Sequence, residues 1–348
     1  MNKRACYFIS LCLALVLLAS GQAGVVRTSA QATQPASAAS PVTLKIGYAV
    51  WVGYGPLFIA RDKGYFADEG LDVQLVKVAD PKERFTAIAG GKLDGLVTTL
   101  DNMTQYWKTD VPFKAFLALD ESAGGDGIVT ADDSIQTVKD LKGKQVGVNV
   151  GSVSQFFLEY VLQQNGMSGK DVTIVKMLQD DVPAALAAKR IDAGVTWEPN
   201  LAKAVQNGAR RLITSKDTPG LIVDGLMLRS DVIKANPNAP KGIVNAWYKA
   251  IEYWKANPDD ADSIMQKGLG GFYEKPDDIK ADLNSAKLFD EARNKEFFAA
   301  GDMGTATSTV KFAIDFYTKL GIITDPITPA DLLDSSYVLP MVATPAAK

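Results

Sequence analysis

A chain of 348 residues, 47% apolar and with a formal net charge of −3, can fill more than one α/β core and offers no basic surface for nucleic acid or anionic membrane. It has no histidine, and its two cysteines, Cys6 and Cys12, fall within the first dozen residues. Ser-His-Asp and Cys-His catalysis, Cys-based metal sites and disulfides are thereby excluded from the rest of the chain, and no metal or cofactor is implied.

Residues 1–32 read as an export leader. Lys3 and Arg4 precede an apolar run, Tyr7–Ala19, that is too short to span a bilayer and argues against an uncut anchor. Cleavage after Ala23 or after Ala32 fits the small-residue rule, and no Cys stands where a lipid would be attached. The mature protein is therefore expected in the periplasm. Residues 33–41 (Thr-Gln-Pro-Ala-Ser-Ala-Ala-Ser-Pro) have nothing to bury and read as a disordered tether.

Strands are then predicted at 43–50, 71–78, 95–99 and 113–119, alternating with helices near 56–63, 81–89 and 102–108, the pattern of a largely parallel sheet. A crossing segment at 127–131 leads to strands at 145–150, 172–176 and 193–196, with helices near 154–165, 182–188 and 199–207. The apolar stretch 221–229 returns the chain to the first half. From Asp231 onward the pattern is helical, with Ile243, Ala246, Trp247, Ile251 and Trp254 at core-facing spacing.

Two segments are written twice. Ile46-Gly47-Tyr48-Ala49-Val50 is echoed by Val146-Gly147-Val148-Asn149-Val150, and the stretch from Ala87 to Thr99 by the stretch from Ala185 to Trp197. A repeat of that length suits two α/β lobes. The expected architecture is α/β and two-lobed, each lobe a sheet flanked by helices: 42–125 plus 222–348 with a helical C-terminal extension, and 126–221. The crossings near 121–131 and 214–226 would form a hinge.

The run Pro56-Leu57-Phe58-Ile59-Ala60-Arg61-Asp62-Lys63-Gly64-Tyr65-Phe66-Ala67-Asp68-Glu69-Gly70-Leu71 resembles the opening of the nitrate/sulfonate/taurine class of ABC-transporter substrate-binding proteins. So do Asp140-Leu141-Lys142-Gly143-Lys144-Gln145-Val146-Gly147-Val148 and Ile191-Asp192-Ala193-Gly194-Val195-Thr196-Trp197-Glu198-Pro199, so that nearly the whole mature chain is covered. The resemblance implies a periplasmic-binding-protein fold, a monomer with a small-molecule ligand, an ABC permease as partner, and no catalysis. Pyrimidine-synthesis relatives that act on a bound histidine share the fold only, because this chain has none; an exported enzyme on the scaffold is the remoter alternative.

Ligands of open α/β sheets sit beyond the carboxyl ends of the strands. That rule selects Trp51 and Tyr54 after the first strand, Asp101 after the third, and Asp120, Glu121 and Asp126 after the fourth. In the second half it selects Ser152, Ser154, Trp197 and Glu198, and on the returning strand Asp224. No Lys or Arg falls in these loops. Several carboxylates would repel a sulfonate or nitrate but would make charge-assisted hydrogen bonds to a guanidinium or amine, stacked on Trp51, Tyr54 or Trp197. Guanidine is the leading candidate and urea is close behind. Taurine, an aliphatic sulfonate and nitrate stay open, because Ser152 and Ser154 open a helix whose N-terminus favours an anion. Local roles compete: Asp101 as an N-cap, and Glu198 in the first turn of a helix. Asp224 has apolar neighbours on either side and needs a partner.

Overall fold

The computed structural model describes residues 40–108, 110–270, 272–273, 275–301 and 304–339. The leader and most of the tether lie outside this range. Among the described residues no helix is long and apolar enough to cross a membrane.

Among the described residues eleven strands form two sheets. The first contains β1 (Val42–Tyr48), β2 (Leu71–Lys77), β3 (Gly95–Thr99), β4 (Phe113–Ser122), β10 (Val223–Arg229) and β11 (Ala286–Leu288), in the order β11-β4-β10-β3-β1-β2. The second contains β5 (Asp126–Thr130), β6 (Gln145–Val148), β7 (Thr173–Lys176), β8 (Ala193–Trp197) and β9 (Arg210–Thr214), in the order β7-β6-β8-β5-β9. β1 pairs in parallel with β2 and β3, and β6 in parallel with β7 and β8. In the first sheet β11 runs antiparallel to β4; the crossover strands β10, beside β3, and β5, beside β8, are antiparallel as well. Those two strands have just crossed from the other sheet and so enter from the opposite end. The segment expected merely to cross at 127–131 is thus an integral strand.

The duplicated sequence has a duplicated physical role. The Asp94 carboxylate accepts from Lys45 N at 2.8 Å while Asp94 N donates to Lys45 O. Asp192 does the same with Gln145, its carboxylate accepting at 2.8 Å. In both halves a turn Asp pins the start of the third strand to the start of the first.

Helices cover both sheets for ordinary local reasons. The helix Pro81–Ala89 begins with Asp80, whose side chain accepts from Lys82 N and Glu83 N, followed by proline at its first position. The helix Val153–Gln164 is capped by Ser152, which accepts from Ser154 N. The long helix Ala239–Ala256 buries Ile243, Ala246, Trp247 and Ile251 and packs on Gly55–Asp62, so the C-terminal extension thickens the first half. Two elements were not legible. β9 opens on Arg210-Arg211, which breaks the apolar pattern, and β11 is three residues long.

Candidate functional site

The parallel strands β1, β3 and β8 end, and the antiparallel strands β5 and β10 begin, around one buried cavity. It offers about 30 Å³ to the centres of water-sized atoms, room for a solute of a few heavy atoms. One side is built by Ala49, Trp51, Tyr54, Thr99, Asn102 and Asp224 of the first half, with Arg84 and Thr98 behind them. Asp126, Ser152, Val153 and Trp197 of the second half close the other side.

Four of the expected residues form one hydrogen-bonded unit. On adjacent antiparallel strands Asp224 stands directly opposite Asp120, and opposite Thr99 on its other side. Carboxylates facing each other across a ladder repel. The single turn Val52–Tyr54 brings a donor to each: Trp51 Nε1 donates to Asp120 Oδ1 at 2.9 Å, and Tyr54 Oη donates to Asp224 Oδ1. Gly53 lies between them because a Cβ there would stand 2.1 Å from Asp120 Oδ2. Burial pushes both carboxyls above the usual carboxylate range; the charge of Asp120 adds to the rise of Asp224, those of Asp126 and Glu121 add to the rise of Asp120, and the aromatic donors pull the opposite way. Asp120 Oδ2 has no hydrogen-bond partner within the protein.

Asp126 is the acid contributed by the second half. Burial pushes it up to about 7, the nearby charges of Asp101 and Glu198 add to the rise, and a hydrogen bond from Ser122 opposes it. Trp197 stands opposite Asp126 on the ladder and donates Nε1 to Val50 O at 2.9 Å, so its ring is tied across the cleft rather than left free. Tyr106 Oη makes a second cross-cleft bond, to Gly151 O at 3.0 Å. Ser122 Oγ and Ser215 Oγ, 2.7 Å apart, tie the two crossovers together.

Asp120 itself and the remaining expected residues lie off the cavity wall. Asp101 does not cap its helix, since Thr99 holds that position. Its carboxyl, raised to about 6 by burial, accepts from Tyr317 Oη at 2.9 Å. Glu121 faces outward to Arg293, Lys287 and Gly220 N. Glu198 accepts from Ala202 N at 2.8 Å and pairs with Arg211 at 2.6 Å, a local helix-start role. Ser154 is buried but is not among the lining residues.

Arg84 is the residue that sequence reasoning missed. It is 4% exposed, its Nη1 donates to Val78 O at 2.8 Å and Ala79 O at 3.1 Å, and its Nε has no partner within the protein. The signal was present: Pro81, Arg84, Phe85 and Ile88 are the buried residues of their helix, and a cation on an apolar stripe needs a reason. Among the described residues no group of three or more His, Cys, Asp or Glu is placed to hold a metal ion.

With that geometry in place, the resemblances to known proteins can be given. The sequence profile described as NMT1/THI5 like matches residues 51–261. A Bacillus subtilis protein provisionally named an aliphatic sulfonates-binding protein is 26% identical over 289 residues, covering 81% of this chain and 83% of its own. The periplasmic aliphatic sulphonate binding protein SsuA of Escherichia coli superposes with a TM-score of 0.67 at 18% identity, covering 84% of this chain and 97% of its own. The periplasmic nitrate-binding protein NrtA of Synechocystis superposes with a TM-score of 0.66 at 18% identity, covering 85% and 87%. At that identity the likeness shows a shared periplasmic-binding-protein fold and not a shared ligand. The matched profile spans well over half of the chain, which belongs to the NMT1/THI5-like family.

Proposed function

We propose that this protein is the extracytoplasmic solute-binding component of an ABC importer, working as a monomer with a permease. Its cleft closes over a small, planar, nitrogen-rich solute of the class that runs from guanidinium to urea. The observation that carries the ligand class is the meeting of two buried carboxyls from opposite halves, Asp126 and Asp224, at one cavity of a few heavy atoms' capacity. Carboxyls held above their usual range are partly protonated when the cleft is empty and accept N–H bonds best when ionised. Binding an N–H donor therefore expels protons.

A second reading has its own observation. Arg84, and on the other side Ser152 and Val153 at the start of the helix Val153–Gln164, are lining groups that suit a sulfonate or nitrate, as the names of the relatives suggest. Taurine would use both ends.

Calorimetric titration with guanidinium, urea, taurine, methanesulfonate and nitrate between pH 5.5 and 8.5 separates these readings. N–H-rich solutes should bind more tightly as pH rises through about 7, with proton release, and level off above it. An anion should weaken over the same range, because ionised Asp126 repels it. Binding confined to anions, strongest at low pH, would overturn the proposal. Turnover of any bound solute would move the reading to an exported enzyme.

A further inference from the structure

Among the described residues Arg84 is the only basic side chain that lines the cavity, and its position limits what the cavity accepts. Its Nη1 is occupied by Val78 O and Ala79 O, and Nη2 lies 3.5 Å from Thr98 Oγ1. Nε–H is a fixed donor, buried and without a partner in the protein. A buried arginine donor left unpaired costs more than an exposed one, so a well-matched solute supplies an acceptor. Other lining groups ask for donors: Asp126 and Asp224 accept, and Asn102 Oδ1 has no partner within the protein.

Bare guanidinium has no acceptor and would place a second cation beside Arg84. Nitrate and sulfonates have only acceptors and would face Asp126 and Asp224. A carboxylate-bearing chain needs more room than a few heavy atoms. A compact molecule with one carbonyl and several N–H groups meets both the donor and the acceptors and adds no charge.

We infer that Arg84 selects the solute by donating to an acceptor on it, and that the ligand is a carbonyl compound of the urea class, its N–H groups directed to Asp126 and Asp224. The inference rests on the N–H-donor reading above and narrows it.

The test is titration of the purified protein near pH 7.5 with urea, thiourea, guanidinium and nitrate at low millimolar concentrations, for the wild type and for Arg84→Met. The wild type should bind urea at least tenfold more tightly than guanidinium. Thiourea, whose sulfur is a weaker acceptor, should bind several-fold more weakly than urea. Arg84→Met should lose at least tenfold for urea while keeping or improving affinity for guanidinium. If this variant fails to fold once Val78 O and Ala79 O lose their donor, the wild-type ranking still decides. Guanidinium equal to or tighter than urea overturns the role of Arg84 but leaves the N–H-donor reading standing. Binding of nitrate alone overturns both. Absence of urea binding overturns the inference outright.

Discussion

At the residue scale, the site is a problem in burying acids, solved by neighbours close in sequence. Trp51 and Tyr54, three residues apart on one turn, bring a donor each to Asp120 and Asp224, and Gly53 gives up its side chain to let them. Gly53→Ala should therefore disturb both bonds and lower solute affinity at least tenfold, measured by calorimetry. Asp126 carries a stability signature. A carboxyl raised to about 7 when folded but near 4 when unfolded holds its proton preferentially in the folded state. The empty protein gains stability from it that is full below about pH 4, shrinks as pH rises, and is gone above about pH 7. Asp126→Asn should flatten that part of the Tm-versus-pH curve between pH 5 and 8 relative to wild type. An unchanged slope would mean that Asp126 is ionised throughout. The acids were legible as acids at strand ends; their pairing was not, because it depends on β10 lying between β3 and β4, a neighbourhood no local pattern encodes.

At the element scale, the repeats earn a structural explanation. Asp94 and Asp192 each close a turn onto the first strand of their sheet, which is why the Leu93-Asp94-Gly95 and Ile191-Asp192-Ala193 stretches look alike. Replacing either Asp by Ala removes an acceptor for a strand-end N–H and should cost about 1–2 kcal/mol, read as a Tm lower by a few degrees. The helix Ala306–Lys319 shows how much packing can hide behind a simple amphipathic pattern. Its Phe316 and Tyr317 meet Phe156, on the helix that opens at the cleft, with ring centroids 5.0 and 5.6 Å apart, and Tyr317 Oη reaches Asp101. Phe156→Ala should destabilise by about 3–5 kcal/mol, the usual loss for a buried aromatic, seen in thermal unfolding. The amphipathic period announced the helix; its partner on the other half could not be read from it.

At the scale of the whole molecule, chain crossing sets the geometry. The first crossover passes from β4 into β5 and the second from β9 into β10, each antiparallel to its neighbours, so that the beginnings of β5 and β10 lie beside the ends of β8 and β3. Acids at those strand beginnings, Asp126 and Asp224, thereby converge on the same cavity. Closure over that cavity is held by Trp197 Nε1 on Val50 O and Tyr106 Oη on Gly151 O. Trp197→Phe keeps most of the ring and deletes the donor. It should shift the unliganded protein toward a more open form, seen as a larger radius of gyration in solution scattering, and weaken solute binding several-fold. No change in either would mean that this bond is not a latch.

Local composition and periodicity were enough, by themselves, to determine an α/β chain, its strand ends and the absence of histidine chemistry, while the echoed segments showed a duplicated plan and particular runs such as 56–71 carried the family resemblance. Those properties live in neighbouring residues and in spacings of two, three and four. What only the tertiary structure decided was which charges share a wall. Glu121 and Glu198 turn outward to Arg293 and Arg211, Asp101 turns to Tyr317, and Arg84, inside the helix that follows β2, lines the cavity. The physical reason is that ligand preference depends on charges within a few ångströms of one another. Such distances arise when strands about one hundred residues apart are brought to one edge, and the sequence carries no local record of them.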